Sequence, residues 1–136
     1  GLVSALRALV RDLSGRGLVI DARLPDRLPE LSPAAELAVY RAVQEGLANV
    51  VRHADAERAL LSVREPEPGI LRLTIQDDGA GYPEQVRAGE LRHSSGLAGM
   101  RERLAAVGGT VSWGTSPEGG ASLEVHVETR RGRENE

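Results

Sequence analysis

The sequence predicts an α+β fold: a two-layer α/β sandwich with helices on one face of a mixed, mostly antiparallel sheet. Three observations predict it. The periodicities run helix, strand, helix, strand, strand, loop, helix, strand, strand along the 136 residues. Two strand pairs are joined by the turn-forming segments PEPG and TSPEGG, so hairpins dominate. No glycine-rich strand-to-helix turn opens the chain, which argues against a doubly wound nucleotide fold.

The elements follow in order. Leu2, Leu6, Leu9 and Leu13 recur at helical spacing with Val3 and Val10 beside them, and Gly15 and Gly17 stop the helix. GLVIDARL is a short, partly β-branched apolar run and reads as a strand. PDRLPELSP is a proline-rich loop, in which Ser32 caps the next helix with Pro33 at its first position and Glu36 completing the start signal. That helix runs to about His53, with Leu37, Tyr40, Val43, Leu47 and Val50 as its expected apolar face. RALLSVRE and GILRLTIQD are the next strands, the second alternating Leu71, Leu73 and Ile75 against Arg72, Thr74 and Gln76. It ends in DDGAG. Residues Tyr82 to Ser95 are polar and weakly periodic and read as a mobile loop with one helical turn. GLAGMRERLAAVGG is a helix closed by Gly108-Gly109, and TVSWG and ASLEVHVE are the last two strands. The tail, 129–136, is expected to be disordered.

Composition excludes several classes of function. The formal charge of −3 gives no electrostatic case for nucleic acid or an anionic membrane. There is no cysteine, hence no disulfide framework and no thiolate chemistry. All 17 basic residues are arginine, so mechanisms that need a lysine, such as a Walker-type phosphate lysine or a Schiff base, are ruled out. No apolar run approaches the ~20 residues of a membrane span. The chain has no start Met and opens inside an apolar-periodic segment, which suggests a piece of a longer protein.

Three segments can carry chemistry. In EGLANVVRHA, Glu45, Asn49, Arg52 and His53 share one helix face. An asparagine oxygen suits Mg²⁺, which needs only one or two protein ligands when phosphates supply the rest. Glu45 could orient or deprotonate a nucleophile, and Arg52 offers charge for phosphate. A solvated polar face would look much the same. In DDGAG, Asp77 at a strand end can accept a hydrogen bond from an exocyclic amine, while Gly79 and Gly81 allow close backbone approach; a plain Asp-Gly turn is the simpler reading of that segment alone. In SSGLAGM, Gly96 and Gly99 open a helix whose free N–H groups can bind phosphate, or they merely permit close packing. His53, His93 and His126 lack the spacing of a zinc site.

In this order, with a polar loop between the second and third, the segments resemble the N, G1 and G2 boxes of the GHKL superfamily of ATP-binding domains. Gyrase, a heat-shock chaperone, histidine kinases and mismatch-repair ATPases share that Bergerat-type fold. YRAVQEGLANVVRHADA together with GLAGMRERLAAVGG is most similar to the nitrate-sensor type of bacterial two-component histidine kinase, and the resemblance spans Leu31 to Val127.

The resemblance implies ATP and Mg²⁺ as cofactors. It implies Glu45 as the catalytic base or orienting group and Asn49 as the Mg²⁺ ligand. It implies nucleotide contacts from Arg52, His53, Asp77, Gly79, Gly81, His93, Gly96, Leu97, Gly99 and Met100, with 82–95 as the ATP lid. It implies transfer of the γ-phosphoryl to a histidine on a separate dimerisation domain, and relay to a response regulator. Residues 1–14 would then end a helix leading from that missing phosphoacceptor segment, and 15–128 would be the ATP-binding domain. The parent would be a homodimer anchored in the bacterial inner membrane with this domain in the cytoplasm, and the isolated chain a monomer. An anti-sigma-factor type serine kinase on the same fold is the alternative. Three positions depart from the pattern: Asp78 where many relatives have Asn, Arg92 where a Gly precedes the lid histidine, and Ala121 in place of a Thr whose hydroxyl would support the adenine site unless Ser122 compensates.

Overall fold

A computed structural model describes residues 1–15, 17–53, 55–93 and 95–134; the side chain of His53, one of the expected nucleotide contacts, lies outside the described residues. The element order is α1 (Leu2–Leu13), β1 (Val19–Arg23), α2 (Pro33–His53), β2 (Arg58–Glu67), β3 (Ile70–Asp77), α3 (Glu84–Arg87), α4 (Gly96–Ala105), β4 (Thr110–Thr115), β5 (Ala121–Glu128) and α5 (Arg130–Glu134). The sheet has five strands in the order β1-β2-β3-β5-β4. Among the described residues only β1 and β2 pair in parallel; the other three pairings are antiparallel.

Strand alternation decides which face is covered. Leu71, Leu73 and Ile75 of β3 are buried, as are Leu123, Val125 and Val127 of β5 and Leu61 and Val63 of β2. Their alternates, Arg72, Thr74, Gln76 and Glu124, are half-buried and form a polar outer face on which Arg72 approaches Glu124 at 3.7 Å. On the inner face α2 packs against β3, α1 and α4 flank α2, and Val39, Val43, Leu47, Met100 and Leu104 fill the space between. The approach of α2 to β3 is close: a Cβ on Gly46 would stand 2.7 Å from Ile75 Cδ1.

The expected start of α2 is present, with Ser32 Oγ accepting from the Ala35 amide at 3.1 Å. Its expected apolar face needs one correction. Leu37 is 52 % exposed, and the face that meets the sheet is Ala35, Ala38, Val39, Ala42, Val43, Leu47 and Val50. Small alanines at every turn let the helix sit low, which rotates Leu37 out to solvent.

Leu2, Leu6, Leu9 and Val10 of α1 belong to the same core as the sheet, and four such side chains at roughly 1.5–3 kcal/mol each hold α1 to the domain. The expectation for the tail is revised. The tail is structured through Glu134. Thr129 is fully buried, its amide donates to the Gly69 carbonyl at 2.9 Å, its hydroxyl accepts from the Gly132 amide at 3.1 Å, and Arg130 pairs with Glu30 at 2.9 Å. The loop after β3 carries the expected single helical turn, α3, and Tyr82, Val86 and Leu91 pack against the core. Arg101 Nη1 donates to the Gly89 carbonyl at 3.0 Å and fastens the loop to α4. β2 also runs further than RALLSVRE, through Pro66 and Glu67 across a register shift; β1 pairs only with Arg58–Ser62, so Pro66 falls where β2 has lost one neighbour.

Candidate functional site

β3 delivers Asp77 to the inner end of the sheet as the last buried residue of its alternation. Asp77 is 3 % exposed. Its Oδ1 accepts from the Gly79 amide at 2.9 Å and the Ala121 amide at 3.1 Å. A buried carboxylate so held keeps a fixed orientation, since hydrogen bonds to a charged group are worth about 1.5–3 kcal/mol each. Oδ2 takes no hydrogen bond among the described residues and remains as an acceptor. The main chain of Asp77 is anchored as well: Ser116 Oγ donates to its carbonyl at 2.6 Å and accepts from the Gly120 amide at 2.9 Å. Gly120 itself has no room for a side chain, because a Cβ there would stand 2.5 Å from Asp77 Oδ1 and 2.7 Å from the Gly79 nitrogen.

Asp77 lies in a cavity of about 460 Å³ whose wall also includes Glu45, Asn49, Gly81, Tyr82 and Gly96. That volume falls within the ~300–1,000 Å³ range of small-ligand sites. α2 supplies Glu45 and Asn49 from its half-buried side. α4 supplies its N-terminus: Ser95 Oγ accepts from the Ala98 amide at 3.1 Å and the Ser95 carbonyl from the Gly99 amide at 3.1 Å, while Gly96 and Leu97 lie at the cavity wall. A helix leaves its first N–H groups without intrahelical partners, so this end suits an anion. Gly96 also abuts α2, since a Cβ there would stand 2.5 Å from Glu45 Oε1.

Tyr82 was not singled out by spacing, although it directly follows GAG. It lines the cavity; burial pushes its phenol far above the ordinary range, and the Asp77 and Glu45 carboxylates push it further, so it stays protonated. Ser116 was also missed; it acts across a turn, where no periodicity marks it.

The remaining expected residues separate into groups. Gly79 contributes its amide to Asp77 rather than a surface to the cavity. Arg52 stands beside the cavity, its Nη2 donating to Asn49 Oδ1 at 3.1 Å and approaching Glu45 Oε1 at 3.6 Å. Gly99 faces Arg103. His93 is exposed and does not line the cavity. Met100 is 1 % exposed and lies with Leu104 in the core, while Leu97 lines the cavity. Of the departures, Ala121 lines the cavity and Ser122 cannot replace its missing hydroxyl, since Ser122 sits on the outer face 3.5 Å from Gln76 Nε2. Asp78 points away as well; its Oδ1 accepts from the Glu57 and Arg58 amides at 2.9 and 3.0 Å and closes the start of β2.

No group of three or more His, Asp or Glu side chains that could hold a metal occurs among the described residues. The donor set nevertheless fits Mg²⁺ brought in with phosphates, which needs one or two protein oxygens. Asn49 Oδ1 already faces a cation in this structure, the Arg52 guanidinium.

A deep carboxylate at one end, an oxygen pair on α2 and a helix N-terminus at the other make a cleft for a nucleotide. The family model described as "Histidine kinase-, DNA gyrase B-, and HSP90-like ATPase" matches residues 34–131. The chain belongs to that family. It is an ATP-binding domain. It is 37 % identical over 115 residues to the signal transduction histidine-protein kinase/phosphatase UhpB of Salmonella typhimurium, covering 82 % of this chain and 22 % of that protein. It is 32 % identical over 127 residues to the sensor histidine kinase YxjM of Bacillus subtilis, covering 92 % and 30 %. The chain thus spans less than a third of either relative. Among solved structures, the ATP binding domain of PrrB from Mycobacterium tuberculosis superposes with a TM-score of 0.75 at 26 % identity, covering 93 % of this chain and 92 % of that one. The Acinetobacter baumannii histidine kinase AdeS shares the fold, with a TM-score of 0.76 at 16 % identity, covering 94 % and 64 %. Among the described residues no helix is long and apolar enough to cross a membrane.

Proposed function

We propose that this chain is the ATP-binding catalytic domain of a two-component sensor histidine kinase, and that it transfers the γ-phosphoryl of Mg·ATP to a histidine on a separate dimerisation domain for relay to a response regulator. The observation that carries the reading is Asp77, a buried carboxylate whose Oδ1 is fixed by two amides while Oδ2 stays available for the adenine amine. Tyr82 lines the same cavity as Asp77 and Glu45. The names of the relatives favour a histidine acceptor over the serine-kinase alternative. By the same reading the parent protein is a homodimer held at the bacterial inner membrane, with this domain in the cytoplasm.

In the transfer an imidazole nitrogen lone pair becomes the N–P bond as the bond from the γ-phosphorus to the β–γ bridging oxygen breaks, and ADP leaves with the electron pair of that broken bond. Glu45 takes the proton that the attacked imidazole must lose. Asn49 Oδ1 is the protein oxygen offered to Mg²⁺, whose charge offsets that of the phosphates when it is bound. The α4 N-terminus and Arg52 add positive potential at the phosphate end, and most of the catalysis is positioning and charge neutralisation.

The test is calorimetric titration of ATP into the chain, with and without Mg²⁺, beside Asp77→Asn and Asn49→Ala. Binding that Asp77→Asn abolishes, and whose Mg²⁺ dependence Asn49→Ala abolishes, supports the assignment. Wild-type chain that ignores millimolar ATP overturns it. With labelled ATP the chain alone should form no acid-labile phosphohistidine, and should form it on a separately added phosphoacceptor domain.

A further inference from the structure

Arg52 makes two contacts that its expected role as a phosphate contact does not explain. From the last turn of α2 it reaches back one turn to donate to Asn49 Oδ1 at 3.1 Å and two turns to approach Glu45 Oε1 at 3.6 Å. A cation near the C-terminus of a helix is favoured by the helix dipole wherever it points, so the dipole alone does not direct the guanidinium onto these two oxygens. They are the two oxygens of α2 that the proposed chemistry uses, one for the metal and one for the proton.

We propose that Arg52 is a stand-in cation: its guanidinium and the divalent metal hold Asn49 Oδ1 alternately, and arrival of the metal drives Arg52 off both Asn49 and Glu45. The inference rests on the nucleotide reading above and adds an ordering to it. A metal ion bonded to Asn49 Oδ1 at about 2.1 Å would stand close to a guanidinium nitrogen bonded to the same oxygen, and like charges at that separation repel. The Arg52 side chain is 54 % exposed and that of Glu45 31 %. Solvent therefore screens the pair and makes it weak enough to exchange. Arrival of the metal therefore also takes the Arg52 charge away from Glu45, the carboxylate that accepts the imidazole proton in the proposed transfer.

The experiment compares ATP affinity by calorimetry in EDTA and in saturating Mg²⁺ for the wild-type chain, Arg52→Ala, Arg52→Gln and Arg52→Lys. The quantity read is the ratio of the two dissociation constants, metal-free over metal-bound. Removing a competitor for Asn49 should raise that ratio about three- to tenfold in Arg52→Ala and Arg52→Gln, the scale of an exposed ion pair reinforced by one charge-assisted hydrogen bond. Arg52→Lys keeps the charge but cannot fork across two oxygens, and should fall between. The Asn49 side-chain amide resonance gives a second readout independent of turnover: metal-free Arg52→Ala should move it, and adding Mg²⁺ with a non-hydrolysable ATP analogue should bring the wild-type and variant signals together. A ratio unchanged or lowered in both neutral variants overturns the exchange. If wild type binds no ATP, or Asp77→Asn binds equally well, the nucleotide reading fails and the exchange with it. If those two controls behave as expected and only the ratio stays flat, the exchange alone is wrong.

Discussion

The hydroxyl of Ser116 lies 2.6 Å from the carbonyl oxygen of Asp77, and so ties the turn between β4 and β5 to the end of β3. The same hydroxyl accepts from the Gly120 amide, and the next amide, that of Ala121, donates to Asp77 Oδ1. One small buried side chain thus sets the height at which the Asp77 carboxylate sits. Ser116→Ala leaves the Gly120 amide without its acceptor in the interior, which costs about 1–3 kcal/mol of stability. It should also weaken ATP binding without changing its Mg²⁺ dependence, because the metal end is untouched. Chemical denaturation and calorimetry check the two effects. A variant with wild-type stability would show that the hydroxyl is not the link.

Asp78 makes the start of β2 sensitive to acid. The Arg58 amide, followed by that of Glu57, holds its carboxyl below the usual carboxylate range against an opposing desolvation. A carboxyl lowered in the folded state contributes stability above its unfolded pKa of about 3.9, and loses that contribution as pH falls through the folded value. Asp78→Asn should therefore lower the melting temperature at pH 7, and the gap from wild type should shrink as the pH falls below about 4. Equal gaps at pH 7 and pH 3 would remove Asp78 from the acid response.

Tyr82 behaves in the opposite direction. Burial and two nearby carboxylates raise its phenol in the folded state. The stability it contributes is complete below its unfolded pKa of about 10 and is lost as the pH rises beyond that. Phenolate absorbance, taken as wild type minus Tyr82→Phe, should show no Tyr82 ionisation until the domain unfolds. At pH 7 Tyr82→Phe should keep the fold and lower ATP affinity about fivefold, the worth of one donor to a nucleotide oxygen. Unchanged affinity would leave Tyr82 as a wall residue only.

Local chemistry was readable where one segment acts by itself. Ser32 with Pro33 marked the start of α2, and the alternation of β3 placed Asp77 on the buried face. The segments around Glu45, Asp77 and Gly96 converge on one cavity: Asp77 ends β3, Gly96 opens α4, and Glu45 stands within α2 on its half-buried side. What escaped the sequence depends on distance along the chain. Ser116 acts on Asp77 from 39 residues away. Leu37 fits the helical period but is turned outward by alanines that let α2 settle on the sheet. Met100 sits inside a glycine-rich motif and still belongs to the core, since helical spacing directs it with Leu104 toward the sheet. The tail reads as polar and disordered, yet Thr129 is pinned by Gly69 of a hairpin turn that composition cannot place beside it.

Gly96 joins the two helices that face the phosphate end. A Cβ at this position would stand 2.5 Å from Glu45 Oε1 and 3.1 Å from Glu45 Cδ. Those atoms are the tip of a side chain, so Gly96→Ala should be accommodated by swinging Glu45 aside rather than by moving α4. Alanine at the first helical position does not harm the helix and removes unfolded-state freedom, so stability should hold or rise by up to ~1 kcal/mol. The effect should fall on Glu45 instead. Phosphoryl transfer to an added phosphoacceptor domain should drop by about 10²-fold, the usual worth of a positioned general base. Calorimetry should find ATP affinity changed less than threefold, within about 0.7 kcal/mol. A variant that melts early would show that the helices cannot part with the glycine at all. A stable variant with normal transfer would show that the placement of Glu45 does not govern the proton.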